Sequence, residues 1–371
     1  MTRMNGQTKA KFGFGLMRLP KVDDKIDLPQ VCEMVDRFLA AGFTYFDTAF
    51  VYDGSEQAAK AALVDRHPRT SYTLATKLHV GKAASADEAR RELQISLERT
   101  GAGYFDYYLL HALMDTNIEK YAEYGLWDFV KEQKARGAIR HYGFSFHDKP
   151  ETLDKLLTEH PDVDFVQLQI NYADWENPEV QSRACYEVAR RHGKPVVIME
   201  PVKGGALADP PAEVKALFDA AAPGVSYASW ALRFAASLDG VLAVLSGMSN
   251  VAQMEDNLAT MGNFAPLNDE EQKVIQQAQH LLGNSAAIAC TACHYCTAGC
   301  PGNIPIPEIF AAANKQLANG QRAEAAAAYA AAVAGAGKAS DCIHCRQCEQ
   351  ICPQHLPITR LLGRCADMFE A

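Results

Sequence analysis

The sequence predicts an α/β chain of two domains, a closed (β/α)8 TIM barrel over residues 1–283 and a small, mostly helical, cysteine-rich domain over residues 284–371. Three observations carry that reading. Between Phe12 and about Asn263, short β-branched or aromatic runs alternate with longer helical patterns, and eight such units in series are what a closed barrel requires. After residue 283 one cysteine frame occurs twice. The 41 residues between the two frames are rich in alanine, a strong helix former.

In chain order the expected strands are FGFGLMRL (12–19), TYFDTA (44–49), YTLATK (72–77), DYYLLH (106–111), HYGFSF (141–146), FVQLQI (165–170), VVIMEP (196–201) and LAVLSG (242–247). A helical pattern follows each. In LPQVCEMVDRFLAAG (28–42), Val31, Met34, Val35, Phe38 and Leu39 repeat at helical spacing and Gly42 stands where a helix stops. NDEEQKVIQQAQHLLG (268–283) reads as one further helix, capped by Asn/Asp and closing on Gly283, which sets the domain boundary. Barrels of this kind place their chemistry at the C-terminal ends of the strands. That rule selects Asp47, Lys77, His111, Ser145, Gln167 and Glu200.

The net charge of −9, from 36 basic and 45 acidic residues, argues against a nucleic-acid surface, which needs a basic excess. Residues 284–371 carry six basic and six acidic side chains, so the excess belongs to the barrel. The N-terminus has basic residues but no continuous apolar run, so no signal peptide is expected. The longest apolar run, 325–337, is thirteen residues of mostly alanine, too short to span a bilayer.

The doubled frame reads Cys290-x-x-Cys293-x-x-Cys296-x-x-x-Cys300-Pro301 and Cys342-x-x-Cys345-x-x-Cys348-x-x-x-Cys352-Pro353. Three thiolates two residues apart can wrap the corners of one iron–sulfur cube, while the fourth, set off by three residues and a proline, points to a neighbouring cube. Disulfide frameworks suit small secreted chains, and structural zinc gives no reason for a third and fourth cysteine followed by proline. The pattern resembles the bacterial two-cluster ferredoxins. That resemblance implies two 4Fe-4S clusters, one on Cys290, Cys293, Cys296 and Cys352, the other on Cys342, Cys345, Cys348 and Cys300. Cysteines kept reduced for iron suit the cytoplasm. Cys32 and Cys185 read as small buried hydrophobes, Cys365 lies outside the frame, and His294 and His355 are candidates for hydrogen bonds to cluster sulfur.

The barrel half resembles the aldo-keto reductase family over about residues 12–263. The residues that carry the likeness are FDTAFVYDGSE (46–56), LATK (74–77), YYLLH (107–111), IRHYGFSF (139–146) and FVQLQIN (165–171). By position the resemblance implies a catalytic tetrad of Asp47, Tyr52, Lys77 and His111. The residue types suit the chemistry. Hydride reduction of a carbonyl leaves an alkoxide that needs a proton from a nearby acid. A tyrosine titrates near 10 on its own, and an adjacent ammonium lowers that value by stabilising the phenolate. Tyr52 is then the acid, Lys77 its electrostatic partner, Asp47 the anchor of Lys77, and His111 the group that orients the carbonyl oxygen.

The same resemblance assigns a nicotinamide cofactor to Ser145 and Gln167 at the carboxamide, to Lys203 and Gly204 at the phosphates, and to Gly247, Gln253 and Asn257 on the eighth-strand loop. Two departures stand out. Phe146 replaces the family's asparagine after the serine, and residues 241–259 contain no Lys or Arg but do contain Glu255 and Asp256. A 2′-phosphate needs charge-assisted donors, so NAD(H) is expected over NADP(H). Trp175 is a candidate substrate wall, and Trp127 reads as core.

The expected function is therefore carbonyl–alcohol interconversion on a small molecule, with clusters linking the site to an external ferredoxin or other redox protein. Two alternatives stay open. In one the clusters are structural and the barrel works alone with NAD(P)H. In the other the chain is an electron-transfer subunit whose barrel is only a scaffold.

Overall fold

All eight expected strands form, and they close a parallel barrel in chain order. They are β1 (Phe12–Gly15), β2 (Tyr45–Asp47), β3 (Thr73–Leu78), β4 (Phe105–Leu113), β5 (Ile139–Phe146), β6 (Phe165–Gln169), β7 (Val196–Met199) and β8 (Val241–Ser246). The computed structural model describes residues 11–283 and 285–370, apart from the side chains of residues 318 and 319. Residues 1–10, on which the N-terminal reading partly rests, and Asn284, where the second domain was expected to begin, lie outside the described residues.

The strand ends differ from expectation for local reasons. β1 stops at Gly15, because its ladder partners Asp47 and Ser246 are themselves the last residues of their strands, and Leu16–Arg18 coil into a 3-10 turn. β7 stops before Glu200, whose φ of +57° lies in the left-handed region and cannot continue a strand. β4 runs past His111 through an irregularity at Ala112, where φ is +55°. A two-stranded hairpin, Lys21–Val22 against Lys25–Ile26, was not expected. Its turn residues Asp23 and Asp24 both have positive φ, the conformation that tight hairpins favour.

The first long helix, Leu28–Ala40, begins where Asp27 accepts the backbone N–H of Gln30, and the chain leaves it through Gly42 at φ +86°. Helix Ala86–Thr100 is capped the same way by Ser85 and ends on Gly101 at φ +67°. Both expose one face and bury the other, with Val31, Met34, Val35 and Phe38 buried on the first. Among the described residues no helix is long and apolar enough to cross a membrane.

The chain divides into two compact units. One comprises the chain up to Trp175, Gln181–Pro201 and Ala228–Asn268; the other comprises Glu176–Val180, Val202–Tyr227 and the chain from Asp269 onward. Helix Asp269–Gly283 thus groups with the cysteine-rich unit, where it packs against Ala212–Ala221. The alanine-rich insert forms two helices, Ile306–Asn319 and Arg322–Ala332, broken at Gly320, whose φ of +69° ends the first. Together with Ile358–Phe369 they surround Ile304, Ile309, Phe310, Leu362 and Cys365.

Candidate functional site

Strand side chains alternate between the two faces of a sheet, so a residue two positions beyond an inward-facing one also faces inward. Tyr45, Ala75, Leu109, Phe165 and Val197 form an apolar layer in the barrel. Two residues further along their strands stand Asp47, Lys77, His111 and Gln167, and these polar groups form the next layer toward the C-terminal ends. Gly143 permits the close packing of this interior, because a Cβ there would lie 2.3 Å from the carbonyl oxygen of Phe165. Tyr52 reaches the same place from the turn after β2, which is pinned by Phe50 N–H to Lys77 O at 3.1 Å and Tyr52 N–H to Ala49 O at 3.0 Å.

Lys77, 1% exposed, donates to Asp47 Oδ1 at 2.5 Å and to the carbonyl of Thr48 at 2.7 Å. Its ammonium lies 5.1 Å from the centre of the Tyr52 ring. The His111 ring meets that of Tyr52 edge-on, with centres 5.7 Å apart. Burial pushes Lys77 down and Asp47 up, and each partner's charge opposes that shift. Burial also holds His111 well below the ordinary histidine range, with His79 and Lys77 adding to the effect, so its imidazole is neutral. The four residues of the expected tetrad are brought together.

The structure adds residues that the sequence did not suggest. His79 stands two positions beyond Lys77, and its ring centre is 5.4 Å from that of His111. Burial lowers its pKa to about 4. Its backbone N–H donates to Glu92 at 2.8 Å, and burial raises that carboxyl to about 8. The Tyr121 hydroxyl donates to the carbonyl of His111 at 2.6 Å and braces the strand. Strand alternation was the signal that marked His79; nothing local marked Glu92, which reads as an ordinary helix-surface charge.

Of the expected cofactor residues, Ser145 and Gln167 are paired across β5 and β6. Ser145 Oγ accepts from Ala112 N–H at 2.7 Å. Gln167 is 2% exposed, and its Oε1 has no hydrogen-bond partner among the described residues. A buried amide oxygen left this way fits a position that holds the carboxamide of a nicotinamide. Asn257 donates to Ser246 Oγ at 3.0 Å, and Gln253 Oε1 accepts from Ser249 N–H at 2.7 Å. Beside Gly247 lies Arg18, whose side-chain carbons are 3.5–3.6 Å from where a Cβ would stand, and which pairs with Glu200 at 3.6 Å. Residues 241–259 lack a cation of their own, yet β1 leads one to this loop. Lys203 and Gly204 belong to the other unit, where Lys203 donates to Gln354. Trp127 is buried and stacks on His160 with ring centres 3.7 Å apart, and Trp175 packs against Phe234 and Tyr186.

In the second unit the eight frame cysteines divide between two cavities. Cys290, Cys293, Cys296 and Cys352 line one of ≈ 350 Å³, counting its solvent-open part. Cys300, Cys342, Cys345 and Cys348 line the other, of ≈ 340 Å³. Each cavity therefore takes three cysteines from one frame and the fourth from the other. Burial, reinforced by neighbouring sulfurs, raises the Cys296 thiol above its ordinary range, and burial with the nearby Glu349 charge and neighbouring sulfurs raises Cys348 to about 11. Among the described residues no three His, Cys, Asp or Glu side chains converge on a single metal ion. Four soft sulfur donors around a larger space fit an iron–sulfur cluster.

The model of the Aldo/keto reductase family matches residues 11–280. The chain belongs to the aldo/keto reductase family. It is an oxidoreductase of a family that acts on small-molecule carbonyls. A second model, the 4Fe-4S dicluster domain, matches residues 289–356. An aldo-keto reductase of Strobilurus tenacellus is 27% identical over 56% of this chain and 62% of its own length. The L-galactose dehydrogenase of Arabidopsis thaliana is 22% identical over 73% of this chain and 89% of its own. Among solved structures, an aldo-keto reductase from Klebsiella pneumoniae in complex with NADPH superposes with TM-score 0.59 over 72% of this chain and 90% of its own, at 21% identity. The likeness covers the barrel and speaks for the fold alone.

Proposed function

We propose that the barrel interconverts a small-molecule carbonyl and its alcohol with Tyr52 as acid and base, and that two 4Fe-4S clusters connect it to an external one-electron carrier such as a ferredoxin. The observation that carries the first part is the buried ammonium of Lys77, fixed by Asp47 and set 5.1 Å from the Tyr52 ring. A positive charge held there favours phenolate and so brings the tyrosine toward a pKa useful for proton transfer. Tyr52 gives its proton to the carbonyl oxygen in reduction and takes it from the hydroxyl in oxidation. The neutral His111 hydrogen-bonds the same oxygen and orients it.

A bound nicotinamide supplies or accepts the hydride. Ser145 and Gln167 hold its carboxamide, and Gly247, Gln253 and Asn257 hold the adenosine end. Lys203 and Gly204 lie against Gln354 and Thr291, and Arg18 beside Gly247 is a further cation for the cofactor's phosphates. NAD(H) is favoured over NADP(H), because residues 241–259 carry no Lys or Arg and the nearby cations Arg37 and Arg18 are already paired with Glu255 and Glu200.

The clusters, when bound, would each store one electron, so that the two together take up the electron pair of one hydride while its proton is released to solvent. Cys290, Cys293, Cys296 and Cys352 hold one cluster, and Cys342, Cys345, Cys348 and Cys300 the other, in a reducing cytoplasm. In sequence the barrel is taken to run to Gly283 and the cluster module to follow it, with helix Asp269–Gly283 packed in the cysteine-rich unit. The test is anaerobic reconstitution with iron and sulfide. About eight iron atoms per chain and an EPR spectrum of two interacting clusters after dithionite are expected; zinc retained in place of iron would refute the cluster assignment.

A further inference from the structure

The segment after the seventh strand meets the cysteine centre at a point that neither cysteine frame foretells. Lys203 Nζ donates to Gln354 Oε1 at 3.2 Å, across 151 positions in sequence. Beside it Gly204, at φ +63°, lies so close to Thr291 that an added Cβ would stand 2.5 Å from the Thr291 carbonyl oxygen and 2.8 Å from its Cα. Thr291 follows Cys290, and Gln354 follows Cys352 by two residues. Both line the cavity of Cys290, Cys293, Cys296 and Cys352.

An ammonium has only donors, so the Gln354 amide must turn its oxygen to Lys203 and its NH2 the other way. That NH2 is buried in a side chain only 5% exposed, and it has no hydrogen-bond partner among the described residues. A buried donor without an acceptor is destabilising, and the cavity that Gln354 lines is where sulfur acceptors would stand. The sequence favours histidines for this role. His294, however, is half-exposed and lies 3.6 Å from Glu308.

We propose that Gln354 Nε2–H donates to a sulfur of the cluster on Cys290, Cys293, Cys296 and Cys352, and that Lys203 fixes the orientation of the amide, so that the pair raises that cluster's reduction potential. The inference rests on the two-cluster reading above. Reduction moves one electron from an external donor into the cluster, taking its core from 2+ to 1+, with no bond or proton transferred. The added negative charge spreads over the sulfurs, where an aimed N–H and a nearby ammonium stabilise it. Gln354 and Lys203 are positioning residues.

The experiment is a dithionite redox titration followed by EPR on the anaerobically reconstituted full chain, comparing wild type with Gln354→Leu, Lys203→Met and Lys203→Arg. With iron content unchanged, Gln354→Leu lowers the reduced-to-oxidised ratio of one cluster about tenfold at fixed potential, or 59 mV for a one-electron couple. The other cluster does not move. Lys203→Met shifts the same couple in the same direction, and Lys203→Arg restores it. Two unmoved couples, or both displaced together, would overturn the proposal while leaving two clusters in place. A wild-type chain with no second couple would instead refute the two-cluster reading. If Gln354→Leu fails to retain iron, ENDOR of the reduced wild type labelled with side-chain 15N-glutamine decides: a coupled nitrogen supports the donor, and its absence excludes it.

Discussion

The barrel mouth and the cysteine centre treat buried charges in opposite ways. At the mouth the protein supplies both partners: Lys77 is held by Asp47 and Thr48, and Glu56 takes Thr76 on one oxygen and Arg99 on the other. At the centre four cysteines line each cavity. A site whose charges are already matched is preorganised by its fold, whereas a site of gathered thiols is completed by what it binds. The first should keep its geometry without any cofactor. The second should not.

The largest expected effect follows directly. Stripping iron with a chelator under oxidising conditions removes the protection of residues 285–370 in hydrogen exchange, and the barrel amides stay protected. Persistent protection of the cysteine-rich unit in iron-free protein would erase the contrast.

Within the mouth, Lys77→Met leaves the Asp47 carboxylate buried without its partner. A loss of about 3–5 kcal/mol of stability is expected, visible as a lowered Tm, together with the loss of turnover. Tyr52→Phe removes only the hydroxyl, so Tm holds while kcat falls by about 10²-fold or more. Equal stability of the two variants would mean that the ion pair is not the buried element described above.

A smaller effect is the pH dependence of stability. The carboxyl of Glu92 is raised by burial from 4.5 to about 8, so the folded state keeps a proton that the unfolded chain releases. This contribution is fully present below pH 4.5 and is lost as pH rises through about 8. Glu92→Gln should flatten the fall in Tm across that interval; an unchanged slope would assign it to another group. The smallest effect expected is cofactor choice. NADH should bind at least as tightly as NADPH, and a tenfold preference for NADPH, about 1.4 kcal/mol, would show that Arg18 reaches a 2′-phosphate.

Much of the barrel was legible because its signals are local. The eight strands appear as β-branched and aromatic runs, and the tetrad sits at their ends in a recognisable order. The cysteine spacing carries its own chemistry. What was not legible depends on contacts between distant positions. Lys203 and Gly204 read as a phosphate loop, and their contacts with Gln354 and Thr291 lie far off in sequence. Arg18 joins the eighth-strand loop through Ser249, 231 positions away, and no window of sequence contains both. Glu92 lies in a stretch of mixed charge, and its burial follows from the need of His79 N–H for an acceptor. The split of the insert at Gly320 is a local signal, a glycine at φ +69° closing the first of two alanine-rich helices.

The central claim is that a preorganised carbonyl site and a metal-completed electron store work as one enzyme. The most direct measurement is EPR of the fully oxidised, iron-loaded protein mixed anaerobically with a substrate alcohol and NAD⁺, beside a Tyr52→Phe control. The account predicts reduced clusters appearing during turnover in the wild type and absent in the control. Clusters that stay oxidised through many turnovers, with activity undiminished, would contradict it.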